Sequence, residues 1–188
     1  MSEGARAKRF FMNGDEWGLY DVLPVENETH CRRVADEYRT HHKDTDFALT
    51  GWSTPPYLIP EPGLPLSIRI IPISELDGIL GAVMERAAGV DSCEDFTGAP
   101  YPCPDCFAYA LSLDEYWRCE GFYGSRNADL VRSLHATPLT VPEPRLDAVA
   151  DAIVQLGRRF DLLLFAGADR IIDLRDSDAV RVFIRSHQ

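Results

Sequence analysis

Residues 145–168, RLDAVADAIVQLGRRFDLLLFAGA, change their hydrophobic period near Asp161. Before that point Leu146, Val149, Ile153, Leu156 and Phe160 recur at steps of three and four. That spacing predicts a helix with one buried face. After it, residues 162–168 are apolar without interruption. The run is far shorter than the ~18 residues that span a bilayer, and it predicts a buried strand. A second strand over 170–174 and a short helix, DAVRVFIRSH, capped by Ser177 or Asp178, complete a C-terminal helix–strand–strand–helix unit.

The remaining segments fit around that unit. Residues 8–23, KRFFMNGDEWGLYDVL, hold two aromatic-rich runs on either side of Asn13-Gly14, which predicts an N-terminal β-hairpin. Residues 27–42 predict a helix capped by Asn27, with Cys31, Val34, Ala35 and Tyr38 on its apolar face. Five prolines make residues 43–66 irregular, with room for a short strand at 47–52. Residues 66–73, LSIRIIPI, read as a strand ending at Pro72. Ser74-Glu75-Leu76-Asp77 resembles a capping box and opens a helix through Ala88, stopped by Gly89. Residues 107–113 alternate as in a strand, with 116–123 as the hairpin partner, although a helix over 107–119 fits nearly as well. Residues 125–136 suggest a short helix, and Pro138, Pro142 and Pro144 punctuate a linker. Regular β-α-β alternation is missing, so the expected class is α+β with a mixed or antiparallel sheet. The 188 residues predict one compact domain, with 144–188 as an optional C-terminal subdomain.

Charge narrows the function. The net charge is -11, and residues 61–120 alone carry eleven acidic against three basic side chains. Residues 121–188 carry nine of each. Such a field repels phosphate backbones, so no nucleic-acid partner is expected. It attracts a basic protein, although a negative surface also serves solubility alone. No apolar run is long enough for a membrane span, and MSEGARAKRF has no apolar stretch behind its charges. The expected compartment is cytoplasmic, where five cysteines are not read as a disulfide framework.

Four of those cysteines lie between positions 93 and 119. Cys103-Pro104-Asp105-Cys106 is a C-x2-C pair, flanked by Cys93 and Cys119. Together they offer four thiolates for a structural zinc site, although the outer two are isolated rather than paired. The tetrapeptide also looks like the active site of thioredoxin-like oxidoreductases. The proline-broken loop before it departs from the strand that such a site requires. The plainest reading is that these thiols are small buried hydrophobes. His30-Cys31 and His41-His42 are neighbours, whose side chains diverge on a helix and make neither a dyad nor a ligand pair. No nucleophile elbow, zinc-protease helix or phosphate loop occurs.

These features together predict a non-enzymatic acidic protein that binds a basic protein partner and blocks it. In general character, acidic and poor in motifs, the chain looks like bacterial toxin-immunity or inhibitor proteins. The expected contact residues are Asp91, Glu94, Asp95, Asp105, Asp114 and Glu115, grouped around the cysteine segment and its prolines. The alternatives are a zinc module using Cys93, Cys103, Cys106 and Cys119, or an enzyme whose site has no sequence motif.

Overall fold

The computed structural model describes residues 8–13, 20–43, 60–93, 99–114, 119–166 and 170–187. These contain β1 (Phe10–Asn13), β2 (Tyr20–Pro24), α1 (Glu28–Lys43), α2 (Ile73–Ile79), β3 (Glu85–Arg86), β4 (Val90–Cys93), β5 (Tyr101–Cys103), β6 (Cys106–Ala110), β7 (Gly121–Asn127) and β8 (Leu130–Ala136). The C-terminal unit follows as α3 (Glu143–Phe160), β9 (Leu162–Ala166), β10 (Arg170–Asp173) and α4 (Ser177–Arg185). The α+β class and the helix–strand–strand–helix end are as the sequence predicts. Among the described residues, no helix is long and apolar enough to cross a membrane.

A seven-stranded sheet runs in the order β10-β9-β2-β8-β7-β6-β3, antiparallel throughout. A smaller sheet, β1-β4-β5, joins β1 to β4 in parallel and β4 to β5 antiparallel. Both faces of the large sheet are covered, and alternation along each strand divides its side chains between them. Leu162 and Leu164 join Val149, Ile153 and Leu156 of α3, whereas Leu163 and Phe165 join Cys31, Val34 and Ala35 of α1. Phe107 and Tyr109 face the helical core, whereas Ala108 and Ala110 meet Phe10, Met12 and Val90 of the small sheet. A strand clad on both sides has no polar face, which is why β9 reads as an unbroken apolar run.

Four expectations for local structure need correction. The predicted N-terminal hairpin does not form, although both of its runs are strands. β1 pairs with β4, and β2 lies between β8 and β9 in the other sheet. Phe10, Met12, Val22 and Leu23 are buried in these pairings, so tertiary burial overrides the turn signal. Residues 66–73 are not a strand. Leu66–Ile68 is one 3-10 turn, and a single bridge joins Pro72 to Leu130. Ile68 and Ile70 face outward, which leaves only Leu66, Ile71 and Ile73 to be buried.

The helix expected through Ala88 ends at Ile79. There the Gly81 N–H turns back to the Leu76 carbonyl at 3.3 Å, and Glu85–Arg86 joins β6 instead. Residues 125–136 form a hairpin rather than a helix, turning through Ala128 and Asp129. A bulge skips Arg132 in the register with β7. The extra residue puts Val131 and Leu134 on one face, and this spacing of three imitates a helix. The strand expected at 47–52 lies outside the described residues.

Candidate functional site

The C-x2-C turn connects the two sheets. Cys103 ends β5 opposite Val90, and Cys106 begins β6 opposite Ser125. The Asp105 carbonyl accepts the Arg126 N–H at 2.9 Å, which holds the turn against β7. The two cysteines flank the two-residue turn Pro104-Asp105. Both are half-buried against Phe10, Met12 and Val90, as is Cys119. Burial raises the Cys103 thiol pKa, and it pushes Cys106 up to about 11, with the neighbouring Cys103 adding to the rise. Cys119 is also raised by burial. Cys93 is fully buried. Among the described residues, no group of three or more histidine, cysteine or acidic side chains is arranged to hold a metal ion. Of the predicted four-cysteine set, Cys103 and Cys106 are thus brought together as a pair.

The predicted acidic contacts separate into three kinds. Asp91 is buried and turned inward. Its carboxylate accepts a two-pronged pair from Arg9, Nε to Oδ2 at 2.7 Å and Nη2 to Oδ1 at 2.6 Å. It ties the start of the chain to β4 and is occupied as a structural anchor. Gly89 leaves room for this fork, since a Cβ there would lie 2.5 Å from the guanidinium of Arg9. Asp114 is exposed and shares Lys8 with Glu85, at 3.3 and 2.6 Å. Lys8 and Ser112 hold the Asp114 carboxyl below its ordinary pKa. Asp105 is exposed at the tip of the turn, next to Pro104. Glu94, Asp95 and Glu115 lie outside the described residues.

Several cations of the large sheet and its helices are engaged. Arg86 pairs with Asp77, which also accepts the Tyr109 hydroxyl at 2.8 Å. Arg145 donates to the Leu111 carbonyl at 2.9 Å and to the Val83 carbonyl at 2.5 Å. Arg69, Arg159, Arg175 and Arg181 each pair with carboxylates elsewhere. β5, the outer strand of the small sheet, meanwhile presents Tyr101 at 44% exposure.

A second polar group has no signal in the sequence. Asp21 of β2 lies opposite His135 of β8, and their side chains meet at 2.7 Å. A carboxylate only accepts, so it orients the imidazole with the hydrogen on Nδ1. The His135 ring stacks on Tyr123 of β7 at 5.3 Å between centroids. This row crosses the large sheet between Phe165, under α1, and Ala108, under the small sheet. Two residues along β7 and β8, the Ser125 and Ser133 hydroxyls meet at 2.7 Å. Asp21 and His135 are 114 positions apart, and only strand order joins them. An oriented imidazole of this kind can accept or deliver a proton. No protein-family model matches the chain, and no curated protein or solved structure matches it either.

Proposed function

We propose that this chain is a non-enzymatic acidic protein that binds a basic protein partner and blocks it, in the manner of inhibitor or toxin-immunity proteins. One observation supports this reading above the others. Lys8 and Arg86, the cations nearest Asp77, Glu85 and Asp114, are engaged by those carboxylates, while Asp105 stands exposed at the turn beside the outer strand β5 and Tyr101. Exposed negative charge speeds encounter with a basic surface. Tyr101 supplies an aromatic anchor at the point of contact. Pro102 and Pro104 stiffen the segment, so that little ordering is lost on binding.

The test is association kinetics with a partner captured from the native host. Asp105→Lys and Asp114→Lys together should slow association about tenfold or more at low salt, with a smaller change in dissociation. Binding that keeps its rate through both charge reversal and high salt refutes the steering mechanism. A partner whose activity is unaffected at saturation refutes the blocking role.

The enzyme reading is favoured by one observation, the oriented Asp21–His135 pair. It predicts a turnover lost in His135→Gln with the fold retained. The zinc reading draws on the placement of Cys103 and Cys106 across one two-residue turn. It predicts about one zinc per purified chain, lost in Cys106→Ser.

A further inference from the structure

We propose that Cys103 and Cys106 are a reversible dithiol–disulfide pair, oxidised by thiol–disulfide exchange with a low-molecular-weight disulfide. The placement is set by two hydrogen-bonded ladders rather than by the turn alone. Register with β4 fixes Cys103, register with β7 fixes Cys106, and the Arg126–Asp105 bond fixes the two residues between them. The two cysteines bracket a two-residue turn and pack against one apolar cluster, which brings their side chains close. Their surroundings favour the oxidised form. Two adjacent thiolates would place two negative charges against an apolar cluster and beside Asp91, whereas a disulfide is neutral.

The pair is also asymmetric. Burial raises both thiols, and at Cys103 the neighbouring Cys106 and the Arg9 guanidinium offset part of that rise. Cys106 is the more strongly raised of the two. Cys103 is therefore the attacking thiol and Cys106 the resolving one. The Cys103 thiolate attacks one sulfur of the small disulfide, forms a mixed disulfide and releases one small thiolate. Cys106 gives up its proton to that thiolate and attacks the Cys103 sulfur, which releases the second. Two cysteine thiols are oxidised, one small disulfide is reduced, and two small thiols leave. This chemistry is independent of any partner protein.

The experiment treats the full chain in native buffer with oxidised glutathione, then blocks remaining thiols and measures intact mass and peptide linkage. The wild type should lose the mass of two hydrogen atoms and yield a Cys103–Cys106 cross-link. Cys31 and Cys93, which are fully buried, should be blocked only after unfolding. Excess monothiol should restore the starting mass. Cys106→Ser should instead retain one glutathione on Cys103. If that variant does not fold, as judged by circular dichroism, the wild-type mass and linkage decide. An unchanged wild-type mass overturns the proposal. So does a persistent glutathione adduct without a cross-link, or a cross-link through another cysteine. A tightly bound zinc that must be removed before any cross-link forms overturns it as well.

Discussion

Replacing Asp91 by asparagine keeps the side chain's size and removes its charge, leaving the Arg9 fork one neutral acceptor. The structure sets the expected cost. Both carboxylate oxygens are used, at 2.7 and 2.6 Å, and the side chains are 12% exposed for Asp91 and 33% for Arg9. Breaking a fully buried pair costs about 3–5 kcal/mol, because one charge stays buried alone. A solvent-exposed pair is worth about 0–1 kcal/mol. Arg9 reaches water over a third of its surface and recovers part of its hydration, so the expected loss is about 2–3 kcal/mol. For a chain of this size that lowers Tm by roughly 5–10 °C.

Urea unfolding of wild type, Asp91→Asn, Arg9→Met and the double variant measures it, with unchanged m-values as the check on two-state behaviour. The double variant should be less destabilised than the sum of the singles, since it leaves no unpaired charge. A loss below about 0.5 kcal/mol in Asp91→Asn would mean that the fork is an ordinary surface pair. A large fall in partner association at unchanged stability would return Asp91 to the contact surface.

Three other outcomes follow from single residues. Gly157→Ala should destabilise by about 1–3 kcal/mol in chemical unfolding, because a Cβ there would lie 2.4 Å from the Leu174 backbone. Ala128→Gly should raise stability by about 0.5–1 kcal/mol in the same assay, since Ala128 holds φ at 51° in the β7–β8 turn. Arg175 hydrogen-bonds the Asp173 carboxyl and holds it below its ordinary value of 3.8. The depressed pKa stabilises the fold above that pH and the contribution is lost as pH falls below it. The pair is nearly half exposed, so Asp173→Asn should remove less than about 1 kcal/mol at neutral pH and flatten the acid side of the stability curve.

Legibility followed how local the determinant was. α1 and α3 were visible because an amphipathic helix carries its own period, and Cys31, Val34, Val149 and Ile153 are buried as that period requires. Even there the Asn27 side chain escaped. Instead of capping α1, it donates to the Leu64 carbonyl at 2.7 Å and accepts the Leu64 N–H at 3.0 Å. The final helix is capped by Asp176, through the Asp178 and Ala179 N–H groups, one position before Ser177, the earlier of the two predicted caps. The β7–β8 hairpin was hidden by one bulge, whose extra residue shifts the alternation onto a helical spacing. Among the candidate site residues, Asp105 and Asp114 are exposed as a charged surface would have them. Asp91 is turned inward by an arginine 82 positions earlier.

The chain's own order of residues determined its α+β class, the continuous burial of β9, its negative balance and the closeness of Cys103 to Cys106. Each of these depends on neighbours within a few positions, or on simple counts. Tertiary structure alone decided that β1 and β2 part into different sheets, that Asp91 belongs to Arg9, and that Asp21 meets His135 in the middle of the large sheet. Those outcomes depend on which strands lie side by side. That choice is a competition for burial among distant segments, and no local period encodes it.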